Sequence, residues 1–275
     1  MGVINGILNA VFNVIFAPFR GMNPWVAMLV ISLGTGILMI FIYKLVSNQA
    51  GILRTKNLIK AHLLELRLYK DSMAASFRSY GGILWANVKY IGHALRPLLV
   101  MIIPVLLILI QLNSWFGYRS MREGEPFLLK VKLAEGQDPM QTNLEVTPSE
   151  TYKVETPALR MQEEREIDWR LSATRNGLHE IALSLDGTRI TKTLAVGQKP
   201  LSRLSPLKPG GKFMDIAFNP SEPGVAKGSP ITSIEVTYPE ARLDFLGIHF
   251  HWLIAFFILS IVFGFGLKGL FRVEI

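Results

Sequence analysis

The side chains able to do chemistry are few and scattered. Cysteine is absent, and the five histidines are His62, His93, His179, His249 and His251. Without thiols the chain has no disulfide, iron–sulfur, thiol-catalytic or cysteine–zinc chemistry. His249 and His251 stand two apart at the mouth of an apolar run, with Asp244 the one acidic neighbour. That set is thin for a metal and fits an interfacial pair better. The cluster Glu163, Glu164, Glu166 and Asp168 lacks the glycine turn and the terminal bidentate carboxylate of a calcium loop, so a solvated strand edge is expected. Pro209, Gly210, Gly211 and Lys212 are not bracketed by a strand and a helix in the order a phosphate loop needs, and read as a turn. No catalytic constellation, metal or cofactor is expected, and the chain does not read as an enzyme.

The elements that carry these residues are dominated by three apolar runs, Pro24 to Tyr43, Leu98 to Trp115 and Leu246 to Leu267. Each approaches or reaches the roughly 20 residues that cross a hydrocarbon core as helix. Half of the 275 residues are hydrophobic, yet charge returns in two discrete blocks. Residues 44–97 hold nine basic side chains against Glu65 and Asp71, whereas residues 117–244 hold 17 basic against 18 acidic. Loops rich in Lys and Arg stay in the cytoplasm. The expected placement is therefore a multi-pass protein of the cell inner membrane. Residues 44–97 and the carboxyl tail are inside, and the N-terminus and residues 117–244 outside. The basic face would meet anionic membrane lipids or an RNA-bearing partner such as a ribosome.

Residues 1–22 begin with an apolar stretch interrupted by Asn5, Asn9 and Asn13, which share one helical stripe facing away from Val11, Phe12, Ile15 and Phe16. An interfacial amphipathic helix is expected; a signal peptide or a fourth span are the alternatives. Residues 23–116 would hold the first span, a coiled-coil hairpin over 44–97 and the second span. The hairpin seam is expected at Ile52, Lys56, Ile59, Leu63, Leu66, Lys70, Met73, Phe77, Tyr80, Leu84, Val88, Ile91 and Leu95, by alternating steps of three and four. Asp71 and Ser72 are the preferred reversal, with Gly81 and Gly82 the alternative. Pro97 suits a helix start and Pro104 bends the second span.

In residues 117–244 the period falls to two. Phe127, Leu129, Val131 and Leu133, then Ile167, Trp169 and Leu171, then Ile181, Leu183 and Leu185 alternate with other residues, and Asp186-Gly187-Thr188 turns into the strand that follows. An extracytoplasmic antiparallel sandwich of immunoglobulin-like architecture is expected, with Trp169 buried. Residues 245–275 close the chain as third span and cytoplasmic tail. The fold class is thus an α-helical membrane protein, three spans plus a cytoplasmic helical hairpin, with an all-β sandwich domain.

This order of parts resembles the YidC/Oxa/Alb superfamily of membrane protein insertases, and within it the three-span branch. The resemblance is carried by Asn23 to Phe116 and the third span. Lys56-Asn57-Leu58-Ile59-Lys60 through Lys70-Asp71-Ser72 looks like the first arm and tip of the family hairpin. Arg96-Pro97-Leu98-Leu99 with Ile103-Pro104-Val105-Leu106 looks like its second core span. The resemblance implies a polar groove open to the cytoplasm, lined here by Ser32, Thr35, Lys44, Arg96, Gln111 and Asn113. It also implies a hairpin whose Arg54, Lys56, Lys60, Arg67 and Lys70 meet nascent membrane proteins or the ribosome. The bacterial insertases place an arginine in the groove from their first core span, where this chain offers Ser32 and Thr35, and the β-domain is an addition to the family plan. The alternative function is a membrane-anchored binding or scaffold protein whose periplasmic sandwich docks a partner.

Overall fold

A computed structural model describes residues 2–69, 71–226, 228–245 and 247–273. The elements run α1 (Gly2–Phe16), α2 (Pro24–Val46), α3 (Gln49–Leu68), α4 (Met73–Phe116), β1 (Pro126–Leu133), β2 (Leu144–Val146), β3 (Tyr152–Val154), β4 (Leu159–Met161), β5 (Glu166–Ala173), β6 (Gly177–Leu185), β7 (Thr188–Val196), β8 (Leu207–Pro209), α5 (Phe213–Phe218), β9 (Ile231–Val236), β10 (Leu243–Phe245), β11 (Ile248–Phe250) and α6 (Trp252–Leu267). They form two compact bodies, one of residues 1–27 and 108–252, the other of residues 28–107 and 253–275.

The β-rich body is built from antiparallel pairs. One sheet runs β3-β5-β1-β9-β8 with β4 also on β5, and a second runs β2-β6-β7. Alternation along β1 sends Phe127, Leu129, Val131 and Leu133 into a core shared with Trp169, Ile181 and Leu183. The β6–β7 turn is two residues, Asp186 at φ +47° and Gly187 at φ +83°. Positive φ at both is the geometry whose twist matches a tight hairpin. Asp168 departs from the solvated edge expected of it. It lies inside the sheet between β4 and β1, opposite Lys130, and is 8% exposed.

Helix α1 belongs to this body. Its asparagine stripe is spent on hydrogen bonds: Asn5 Nδ2 donates to the Ile216 carbonyl at 2.8 Å and Asn9 Nδ2 to that of Pro220 at 2.7 Å. Phe16 is buried against Trp115 and Phe116. Ile4, Ile7, Val11 and Val14 stay exposed.

In the helical body, α2 (23 residues) and α4 (44 residues) are long and apolar enough to cross a membrane. The chain reverses between the end of α3 at Leu68 and the start of α4 at Met73, where Ser72 Oγ accepts from the Ala75 N–H at 3.4 Å. Gly81 and Gly82 continue the helix. The seam of the second arm is not the expected one. Met73, Phe77, Tyr80, Leu84, Val88, Ile91 and Leu95 all point away from α3 and are exposed, as is Leu63 on the first arm. On the first arm Ile52, an expected seam residue, is buried together with Thr55, and on the second the small residues Ser79 and Ala86 are buried. A face of small side chains lets two helices approach closely, and two helices cannot cover both stripes of α4. Lys70, assigned to the seam, lies outside the described residues.

The third apolar run divides. Its start is taken by the β10–β11 hairpin, with Gly247 at φ +82° in the turn, and Trp25 packs on Phe245 and Phe250. Helix α6 keeps the remaining 16 residues, about 24 Å at 1.5 Å per residue. Leu246 lies outside the described residues.

Candidate functional site

The helical body holds an open cavity of about 450 Å³ between α2, α4 and α6. Its wall is apolar, from Met39, Ile40, Leu98, Met101, Val105 and Phe256, and its polar side chains are Thr35, Tyr43 and Ser260. Gly36 brings α2 and α6 together beside it: a Cβ at Gly36 would stand 3.2 Å from the Ser260 carbonyl oxygen. Such close approach is what small residues permit between apolar helices. Ser32, one turn from Thr35 and Gly36 on the same face of α2, is fully buried. The hydroxyls of Ser32 and Ser260 find no hydrogen-bond partner among the described residues. A buried hydroxyl without a partner carries a desolvation cost of about 1–3 kcal/mol.

The six expected groove residues do not all fall in this body. Thr35 lines the cavity, and Ser32 is buried one turn away. Lys44 at the end of α2 is exposed and donates to the Phe271 carbonyl at 2.9 Å, and Arg96 is exposed on α4. Gln111 and Asn113 are in the β-rich body. There Gln111 is buried and donates to Asn9 Oδ1 at 3.1 Å, while Asn113 is exposed beside Ser114 and Tyr118. Ser260 went unread in the sequence; a lone hydroxyl in the third apolar run was the available signal.

The hairpin is the other half of the candidate site. Asn48 Oδ1 accepts from the Gly51 N–H at 2.9 Å and caps α3. Farther out, His62 Nδ1 lies 2.9 Å from Glu65 Oε2, and Ser79 Oγ of the facing arm donates to the same oxygen at 2.9 Å. These bonds hold the Glu65 carboxyl below its ordinary value, His62 contributing most. His62 packs over Gly82 and His93 over Gly51, so each ring fills the space a side chain would take on the opposite arm. Arg54, Lys60 and Arg67 are exposed on the outer surface of α3, and Lys56 is half-buried. Lys70 falls outside the described residues.

A third polar cluster lies in the β-rich body. Lys192 of β7 is fully buried, with Nζ 2.5 Å from Glu222 Oε2 and 2.5 Å from the Ser205 carbonyl oxygen. Glu222 also accepts from the Thr193 N–H and hydroxyl at 3.1 Å each and from Ser205 Oγ at 3.0 Å. Burial pushes the Lys192 ammonium below its ordinary value, against the pull of Glu222. With so many donors on one carboxylate, this is an anchor pinning the 205–222 segment, which carries α5, to the sheet.

The elements define a helical protein with two helices long and apolar enough to cross a membrane, joined by a basic hairpin and accompanied by antiparallel sheets. Comparison with protein-family models, with curated proteins and with solved structures finds no match for the chain.

Proposed function

We propose that this protein eases the insertion of client segments into a membrane, as an insertase or membrane chaperone resembling the YidC/Oxa/Alb superfamily. The observation that carries the reading is an open cavity beside Thr35, Ser32 and Ser260, in the same body as a basic hairpin. Moving a polar flank of a client across hydrocarbon costs the hydration of its backbone and charges. A cleft between α2, α4 and α6, with Thr35, Tyr43 and Ser260 in its otherwise apolar wall, shortens the path through hydrocarbon without any bond-making residue. In this reading α2, α4 and α6 are three spans. Helix α6, about 24 Å long, falls short of a hydrocarbon core of about 30 Å, so the bilayer thins beside the cleft. Residues 44–97 and the carboxyl tail are cytoplasmic, and the N-terminus and a sandwich over 117–244 are extracytoplasmic. Helix α1 lies in the outer interface, with Ile4, Ile7, Val11 and Val14 in lipid.

Depletion combined with a client-insertion assay tests this. Photocrosslinkers at Thr35 and Ser260 should capture nascent membrane segments, and depletion should slow their insertion. Normal insertion without crosslinks at either position would sink the proposal. The second reading, an anchored binding protein, is favoured by one observation: Phe213, Met214 and Phe218 are exposed on the short helix α5 of the β-rich body. Capture of one stable partner through these three residues, with insertion unchanged, selects it.

A further inference from the structure

The β10–β11 hairpin has two unlike faces. Leu243 pairs with Phe250 and Phe245 with Ile248, so these four side chains share one face, while Asp244 and His249, paired between them and 3.8 Å apart, occupy the other. At the base of the apolar face Leu243 is buried. At the tip Phe245 and Ile248 are 53% and 59% exposed, where polar residues ordinarily furnish the end of a hairpin that stands in water.

Depth, connectivity and area select what covers the tip. Trp25, which packs on Phe245 and Phe250 and donates its Nε1–H to the Asp244 carbonyl at 2.7 Å, belongs to the first turn of α2. Along that helix it stands about 28 Å from Lys44, close to a hydrocarbon thickness of about 30 Å. With Lys44 at the inner headgroups, Trp25 falls at the outer boundary, where aromatic anchors sit, and the hairpin is fastened to it. Only His251 separates β11 from α6. Because α6 is about 24 Å long, about 6 Å short of the core, the residues just before it are drawn to the hydrocarbon edge. Two half-exposed side chains offer on the order of 200 Å², far below the roughly 800 Å² that each partner brings to a stable protein interface. Lipid sets no such threshold, since each apolar group gains by leaving water.

We propose that the tip of the β10–β11 hairpin is inserted into the outer leaflet of a phospholipid bilayer, with Phe245 and Ile248 among the acyl chains and Asp244 and His249 at the headgroups. This rests on the reading of α2 and α6 as spans, and not on the insertion of clients.

The chain has no cysteine, so Ile248→Cys accepts a single spin label in the full protein held in phosphatidylcholine nanodiscs. Collisions of the label with oxygen, which concentrates in lipid, should outweigh those with an aqueous nickel chelate, and Phe245→Cys should read the same way. Phe41→Cys, exposed on α2, is the membrane reference and should also favour oxygen. Leu159→Cys and Leu178→Cys, similarly exposed apolar positions of the β-rich body, should favour the chelate. Circular dichroism matching that of the parent shows that each labelled protein is folded. Chelate-dominated collisions at Ile248 with oxygen-dominated ones at Phe41 overturn the proposal and leave the spans standing; chelate-dominated collisions at both overturn the two together. Shielding of Ile248 from both reagents, the mark of a protein cover, overturns it as well. Oxygen-dominated collisions at Ile248 alongside a failed client-insertion assay uphold the hairpin's place in lipid and remove only the insertase reading.

Discussion

The two bodies of this protein use large apolar side chains in opposite ways. In the β-rich body Leu129, Val131, Ile167 and Ile181 are fully buried and Trp169 is 4% exposed. In the helical body Phe41, Phe77, Leu84 and Ile103 are all more than half exposed. Composition does not separate them, because both are rich in aliphatic residues. What differs is where each finds its apolar surroundings. The sheets share a core within one chain, whereas α2 and α4 leave much of theirs uncovered by the described residues. Charge follows the same division, nearly balanced over 117–244 and strongly basic over 44–97.

The comparison is strained most by the charged groups that the β-rich body also buries. Glu222→Ala would leave Lys192 without its counter-ion in a fully buried site. Breaking a buried pair by removing one partner costs about 3–5 kcal/mol. Native-state hydrogen exchange of the β7 amides should report the loss, with α4 amides between 80 and 95 unaffected. A cost under about 1 kcal/mol would mean that Lys192 reaches water, and that this body is less closed than its apolar core implies. Trp169→Ala, which opens a large core cavity, should cost about as much.

How far these features were legible follows from what each signal measures. Period-two alternation located β1, β5 and β6, and Asp186-Gly187 fixed the hairpin, because the sheet core and the left-handed turn are local demands of the chain. The reversal at Asp71 and Ser72 was legible for the same reason. Alternation did not reveal that Asp168 is covered, since β1 comes from distant sequence and β4, though near, is only three residues long. Periodicity also found the stripe of α4 but not that the chain leaves it exposed. Leu84 and Ile91 share one face, yet the side turned to α3 carries the small residues Ser79, Gly82 and Ala86, which an apolar period does not mark. In the candidate site, Ser32 and Thr35 were found as the polar residues of an apolar run. Gln111 was read by the same logic, yet its partner Asn9 lies 102 residues away, a pairing no local pattern encodes.

Two carboxyls in the β-rich body sharpen the comparison through pH, with opposite signs. Burial pushes Asp168 up to about 6, Glu166 adding to it. A raised acid favours folding fully at pH values below its unfolded value, near 3.8, and that contribution is lost as pH rises through about 6. Asp168→Asn should therefore stabilise at pH 7 by about 1–2 kcal/mol, the charge being partly relieved by Lys130 and nearby solvent, and should change little at pH 4. Glu125 is held down at about 2, chiefly by its paired hydrogen bonds with Arg119 at 2.7 and 2.8 Å. Its contribution is present above about 4.5 and fades as pH falls toward 2. Glu125→Gln should cost about 1 kcal/mol at pH 7, discounted because Arg119 is partly exposed, and nothing near pH 2. Unfolding followed by tryptophan fluorescence at pH 4 and pH 7 separates the two.

The smallest expected effect discriminates best between the bodies. Leu84→Ala and Ile91→Ala each remove an apolar side chain comparable to Leu129, but from a face that nothing in the chain covers. Truncation there leaves no enclosed cavity and removes little burial, so stability of the purified protein should change by less than about 0.5 kcal/mol. Helix propensity slightly favours Ala over Ile. Leu129→Ala in the sheet core should cost about 2–5 kcal/mol. Guanidinium titration of each variant, read by hydrogen exchange at β1 and at residues 80–95, measures both. If Leu84→Ala proved as costly as Leu129→Ala in the isolated protein, the stripe would already be packed, and the two bodies would not differ in how they cover their large apolar side chains.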